Sequence, residues 1–160
     1  MDHAESRDIV LVADDDPTFL RLVYLFLEGE PIEIVVAQDG ATAIELALGS
    51  APDLILLDML MPGMSGIDAC RRLQEEQATW DVPVILMTAL RDASTRMAAF
   101  EAGAADYITK PIEKVELLAR VRTQLSTRRE LKALRARVEE LTRENERLTR
   151  ELGELSRRGA

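Results

Sequence analysis

Leu54-Ile55-Leu56-Leu57-Asp58-Met59-Leu60-Met61-Pro62-Gly63-Met64-Ser65-Gly66 is the stretch whose reading decides the fold. An apolar run this short, bounded by Pro52-Asp53 and by Pro62-Gly63, reads as a strand buried on both faces, as in a parallel sheet covered by helices. Ligand sites in such sheets lie beyond the carboxyl ends of the strands, and the first residue there is Asp58. A carboxylate delivered by a buried strand into a Gly/Pro-rich loop is placed for chemistry. A single Asp after a strand also reads as the cap of the next turn.

Working outward, Ile9-Val10-Leu11-Val12-Ala13 is a second buried-strand pattern and runs into Asp14-Asp15-Asp16-Pro17. Asp16 reads as a helix N-cap with Pro17 at the first helical position, which leaves Asp14 and Asp15 for a site. Parallel strand ends can converge, and unpaired carboxylates close together repel unless a hard cation neutralises them. Mg²⁺ is the natural candidate. Val82-Pro83-Val84-Ile85-Leu86-Met87 leads to the hydroxyl of Thr88, and Ala105-Asp106-Tyr107-Ile108 leads to Thr109-Lys110-Pro111. Taken singly, Thr88 reads as a turn residue and Lys110 as a solvated charge. Together with Asp14, Asp15 and Asp58 they form a set that chance does not readily supply.

Helical patterns near residues 17–29, 40–49, 66–76 and 93–103 alternate with strand patterns at 32–37, 53–57, 82–87 and 105–108. This is the rhythm of an α/β, doubly wound, flavodoxin-like sheet of five parallel strands in the order 2-1-3-4-5. Gly29, Gly49 and Gly103 fall where helices should end in left-handed caps.

On these residues the chain resembles the receiver domain of bacterial two-component response regulators, from residue 7 to about 125. The resemblance implies that Asp58 accepts a phosphoryl group from a sensor histidine kinase or phosphotransfer protein. It implies Mg²⁺ held by Asp15 and Asp58, with Asp14 helping through water and the Leu60 carbonyl as a further ligand. Thr88 and Lys110 would contact the phosphoryl oxygens, and Tyr107 would be the aromatic switch that follows Thr88. The Lys110-Pro111 bond is expected in cis, a state that proline makes accessible. Such a chain would catalyse only its own phosphorylation and dephosphorylation.

The chemistry is coherent on physical grounds. Phosphoryl transfer needs an in-line nucleophile and positive groups around the equatorial oxygens, and the product here would be an acyl phosphate. In receivers the positions two beyond the phosphoacceptor and two beyond the Thr tune hydrolysis; they are Leu60 and Leu90. Neither can orient a water by hydrogen bonding, so a long-lived phosphorylated state is expected. Leu60 also argues against an aspartyl-phosphate phosphatase of the haloacid dehalogenase type, which needs a second acid at that position. A third reading, a coiled-coil adaptor with the receiver as a docking surface, is disfavoured by the intact set of Asp14, Asp15, Asp58, Thr88 and Lys110.

After Ile112 the chain continues to Ala160 without another proline and with only Gly153 and Gly159. A long helix of roughly 70 Å is indicated. Its first part would pack through Val115, Leu118, Val121 and Leu125, with Arg120 pointing away. Beyond it Leu131, Leu134, Val138, Leu141, Asn145, Leu148, Leu152 and Leu155 form a strict heptad. Leu131, Val138, Asn145 and Leu152 are taken as a positions, every d position is then leucine, and the pattern suits a parallel two-stranded coil whose buried Asn145 sets register. A homodimer through this helix is expected, supported within each helix by pairs such as Glu139 with Arg143 and Glu146 with Arg150. From Leu125 to Leu131 the two stripes are out of phase, a break that overwinds or unwinds a coil locally and is placed to transmit a change at Tyr107.

The organisation expected is a disordered leader at 1–7, a receiver at 8–126 and a coiled-coil helix at 127–160. Within 160 residues, 47% hydrophobic and 31% charged, no apolar stretch approaches membrane-spanning length, so a cytoplasmic protein without membrane contact is expected. The sole His, His3, lies in the leader, which leaves multi-His metal sites and Ser-His-Asp hydrolysis poorly supported. Cys70, the only Cys, can form no intrachain disulfide and reads as structural filler. Residues 1–112 carry 20 acidic and 7 basic side chains, whereas 113–160 carry 9 and 13. The tail positives are interspersed with Glu and no basic block precedes the heptads, so nucleic-acid binding is not expected. No DNA-binding, cyclase or hydrolase motif follows the coil. The output is therefore expected to be the dimer surface itself or a domain beyond residue 160.

Overall fold

Four helices begin where a short polar side chain closes the first turn, and these caps punctuate the chain into alternating strands and helices. In the structure, a computed structural model that describes residues 7–160, Asp16 accepts from the Thr18 N–H at 2.9 Å and starts α1 (Pro17–Leu27). Asp39 does the same for α2 (Gly40–Ser50), Ser65 for α3 (Gly66–Glu75) and Asp92 for α4 (Ala93–Glu101). Each side chain satisfies an amide that the helix itself leaves unpaired. Between them run β1 (Asp8–Ala13), β2 (Ile32–Ala37), β3 (Leu54–Asp58), β4 (Val84–Thr88) and β5 (Asp106–Thr109), and α5 (Lys114–Arg158) follows. Residues 1–6 of the expected leader, His3 among them, lie outside the described residues.

The strands form one five-stranded parallel sheet in the order β2-β1-β3-β4-β5. Successive residues of a strand point to opposite faces, so each central strand feeds two cores. Leu11, Ile55, Leu57, Val84 and Leu86 pack with Ala43 and Ala47 of α2, Cys70 and Leu73 of α3 and Ala99 of α4. Val10, Val12, Leu54, Leu56, Ile85 and Ile108 pack with Leu20, Val23 and Leu27 of α1 and with Leu117, Val121 and Leu125 of α5. Both faces of β3 and β4 are covered, which is why they are apolar without alternation.

The structure changes three details of the sequence reading. Gly29 and Gly103 adopt the expected positive φ of 91°, but Gly49 lies inside α2 and the left-handed residue is Ala51, at φ 47°. Pro52 follows and bars the right-handed helical conformation from the residue before it, so the helix runs on to Ser50 and turns there. The buried face of α5 carries Leu117 rather than Val115, which is 80% exposed, while Leu118 is only partly buried. Arg120 does not point away: its guanidinium bonds Asp106 of β5 at 2.7 Å and Glu116 one turn back at 3.1 Å.

The chain divides into two compact units, residues 1–125 and 126–160. The second is wholly helical up to Arg158, and Leu131, Leu134, Val138, Leu141, Leu148, Leu152 and Leu155 are all exposed along it. Ion pairs along it include Arg137 with Glu140 at 2.7 Å and Arg147 with Glu151 at 3.6 Å. No helix of the described residues is long and apolar enough to cross a membrane.

The shifted face of α5 has a direct consequence. Leu117→Ala should cost about 2–5 kcal/mol, the range for a buried leucine, and Val115→Ala no more than about 0.5 kcal/mol. Urea unfolding of the two variants checks this; equal losses would contradict the packing described.

Candidate functional site

Strand register aligns the site before any side chain is considered. Ala13 pairs with Leu57, so Asp14 and Asp58 follow at the same level on neighbouring strands. Asp58 pairs with Met87 and Thr88 with Thr109, which brings Thr88 and Lys110 to the same edge from β4 and β5. The Asp14 N–H still donates to Ala37 O at 3.1 Å, and the Lys110 N–H donates to Thr88 O at 2.7 Å, extending the ladders past the strand ends. The Lys110-Pro111 bond is cis.

The Lys110 ammonium reaches across to Asp14 Oδ2 at 2.7 Å and Asp58 Oδ1 at 3.1 Å. Asp14 and Asp58 are buried and Asp15 is exposed, and one carboxylate oxygen from each lies within 4.8 Å of the others. The second Asp14 oxygen accepts the Asp16 N–H at 2.9 Å. Burial raises the Asp58 carboxyl above its ordinary pKa against the opposing hydrogen bond from Lys110, and the charges of Asp14 and Asp15 push it further up. Burial draws the Lys110 ammonium down, but hydrogen bonds to Asp14 and Asp58 outweigh this and raise it overall. Lys110 is therefore a fixed positive charge. Hard carboxylate oxygens crowded together, with one cation shared among them, are a donor set that fits Mg²⁺.

Thr88 is buried, and its Oγ1 accepts the Leu90 N–H at 3.0 Å, which leaves the hydroxyl hydrogen as a donor. Leu60 and Leu90 are exposed on the loops that follow Asp58 and Thr88. Tyr107 is half-buried, edge-on to Phe100 at 6.2 Å and beneath the Arg96 guanidinium at 5.4 Å. Gly66 is indispensable at the mouth of β3. Its N–H donates to Met59 O at 2.9 Å, and a Cβ there would fall 2.0 Å from the Asp58 carbonyl oxygen. Only glycine lets α3 start against the backbone that presents Asp58.

Three contacts were not legible beforehand. Phe19, in the first turn of α1, lays its ring 4.0 Å from Lys110 Nζ, and Arg96 with Phe100 brackets Tyr107. Nothing in the local pattern singles them out, because each contact joins residues far apart in sequence or on opposite sides of a loop. Cys70 is buried in the core with its thiol pushed up to about 11 by that burial, in keeping with a filler role.

A parallel sheet whose carboxyl edge gathers three aspartates, a threonine and a lysine, with the fifth strand closing on a cis proline, defines a receiver-type α/β domain. The response regulator receiver domain family matches over residues 10–122, and the chain belongs to that family. Response regulator PleD of Caulobacter vibrioides is 45% identical over 114 residues, 71% of this chain and 25% of that protein. The DNA-binding response regulator MtrA of Mycolicibacterium smegmatis is 40% identical over 119 residues, 74% of this chain and 51% of that protein. The chain thus spans from a quarter to about half of these relatives' lengths. Among solved structures, a response regulator from Chloroflexus aurantiacus J-10-fl superposes with TM-score 0.72 at 36% identity, over 76% of this chain and 99% of that one. The receiver domain of a sensor histidine kinase from Pseudomonas aeruginosa, solved with a magnesium ion in its active-site cleft, does so with TM-score 0.70 at 25% identity, over 76% and 99%.

The raised carboxyl of Asp58 fixes the sign of a pH effect. A group whose folded pKa lies above its unfolded value of 3.8 favours the fold below that value, and this contribution is lost as pH rises through the folded pKa. Ionised Asp58 therefore opposes folding at neutral pH. In chelator at neutral pH, Asp58→Asn should be more stable than the parent, with a higher Tm. The difference should close below pH 4, and thermal melts across pH check it.

Proposed function

We infer that this chain is a phosphorylation-switched signalling module of the cytosol. Asp58 accepts a phosphoryl group from a histidine of a sensor kinase or phosphotransfer protein, and the acyl phosphate changes the state of a homodimer joined through the C-terminal half of α5. The observation that carries the reading is the double contact of Lys110 with Asp14 and Asp58 at 2.7 and 3.1 Å. It holds a permanent cation against the one carboxylate that β3 carries into the loop.

In the transfer, an Asp58 oxygen forms the new O–P bond as the donor's N–P bond breaks, and the donor imidazole keeps the electron pair. Lys110 moves from the carboxylates to an equatorial oxygen that becomes more negative. The Thr88 hydroxyl, fixed by the Leu90 N–H, donates to another. Asp14, Asp15 and Asp58, with the Leu60 carbonyl, would hold Mg²⁺, which when bound supplies positive charge opposite the carboxylates and the phosphoryl oxygens. The magnesium ion in the Pseudomonas receiver supports this assignment. The chain acts on its own Asp58 and turns over no separate substrate. Tyr107, resting between Phe100 and Arg96, is the side chain that follows Thr88.

The heptad supports a parallel pairing on packing grounds. In the antiparallel alignment that matches the whole seam, Leu131 faces Leu155 and Leu141 faces Asn145, so a buried amide meets an apolar chain. Parallel pairing sets Asn145 against its own copy, where each amide satisfies the other. The exposure of the seven apolar seam residues along an unbroken helix supports a second copy as the covering surface.

Incubation with a small phosphodonor and Mg²⁺ should add one phosphoryl group to the parent and none to Asp58→Asn, read by intact mass. With Leu60 and Leu90 unable to orient water, the acyl phosphate should persist for minutes or longer; decay within seconds at room temperature would exclude the shielding role. Asn145→Leu should stabilise the coil by about 1–3 kcal/mol and admit species above the dimer, measurable by thermal melts and sedimentation equilibrium.

A further inference from the structure

Lys110 has a third neighbour that the phosphoryl-transfer reading does not use. Its ammonium carries three hydrogens, and Asp14 and Asp58 draw two of them. On another side the face of Phe19 stands 4.0 Å from Nζ to the ring centroid. This is well inside the range at which an aromatic quadrupole attracts a cation, and the attraction grows where water is excluded. The Lys110 side chain is only 22% exposed.

The ring is itself held. Asp16 and Pro17 define the start of α1, which sets Phe19 in the first turn, and the ring is partly buried against the core that α1 and α5 form on one face of the sheet. The lysine stem, by contrast, is a flexible four-carbon chain whose head loses the Asp58 carboxylate charge it pairs with when that group becomes an acyl phosphate. Of its three contacts, Asp58 alone changes charge and bonding during the transfer; Asp14 and the ring keep theirs, and the ring is the one that is not itself a carboxylate of the proposed Mg²⁺ site.

We propose that Phe19 is a positioning residue for phosphoryl transfer to Asp58: its ring face holds the Lys110 ammonium at the site as the carboxylate contact is exchanged for a phosphoryl oxygen. The inference rests on the reading of Asp58 as phosphoacceptor. A leucine of similar bulk fills the same space but offers no electron-rich face, so electrostatics and packing separate.

The test is progressive fluorination of Phe19 in the full chain, introduced at that position alone, together with Phe19→Leu and Phe19→Tyr. Fluorine withdraws density from the ring face while the ring's shape is nearly kept. The rate of Asp58 phosphorylation by phosphoramidate with Mg²⁺ should fall stepwise along the fluorinated series, reaching about threefold to tenfold below the parent. Phe19→Leu should match the most fluorinated ring and Phe19→Tyr should keep most of the rate, while Tm and Mg²⁺ affinity stay near the parent's. A flat series, or a loss that tracks Tm instead of fluorination, overturns the role of Phe19. A parent chain that takes up no phosphoryl group overturns the underlying reading of Asp58 instead, so the two failures are distinguishable.

Discussion

Carboxylates do not sit buried beside one another without a cation, and the ammonium of Lys110 is the cation this chain supplies. It bonds Asp14 and Asp58, which arrive from separate strands, and it is brought there by a third. The rest of the architecture can be understood as what is needed to hold that arrangement: parallel strands to deliver the groups to one edge, and helices on both faces to dehydrate them. The arrangement remains unfavourable for Asp58, whose carboxyl is pushed up chiefly by burial. Stability is given up at this one residue, whose carboxylate is held at the carboxyl edge of the sheet.

The same edge depends on close approach of backbone. Gly66 admits α3 to the loop after β3 where any Cβ would strike the Asp58 carbonyl, and a Cβ at Gly40 would stand 3.0 Å from the Met64 carbonyl oxygen. These are constraints of shape, not of charge. They explain why Gly66, in the stretch after Asp58, is glycine although it bears no functional group. Met59 and Met61, both buried, tie the same loop into the core beneath it.

In α5 the physics changes along one helix. Leu117, Val121 and Leu125 are covered by the sheet, whereas from Leu131 onward the apolar stripe is exposed. The stripes are offset by the polar stretch Ser126-Thr127-Arg128-Arg129-Glu130, and the division between the two compact units falls at its start. On the pairing we propose, this exposed stripe is the surface for a second helix and its lone Asn145 sets the alignment.

The sequence by itself determined the elements and their chemistry. Short apolar runs ending in Asp14, Asp58 and Thr88 mark strands and the groups at their ends, because a two-sided buried strand must be uniformly apolar and its first polar residue marks where it ends; Lys110 follows the shorter, mixed run Asp106–Thr109. The heptad from Leu131 to Leu155 is equally legible, since helical periodicity is a local property. What only the tertiary structure decided is which residue of a local pattern meets which distant one. It buries Leu117 in place of Val115, ties Arg120 to Asp106, and moves the α2 cap from Gly49 to Ala51. It also sets the ring of Phe19 against Lys110. Each of these depends on the angle and depth at which one element packs on another, and no period in a single chain encodes that geometry.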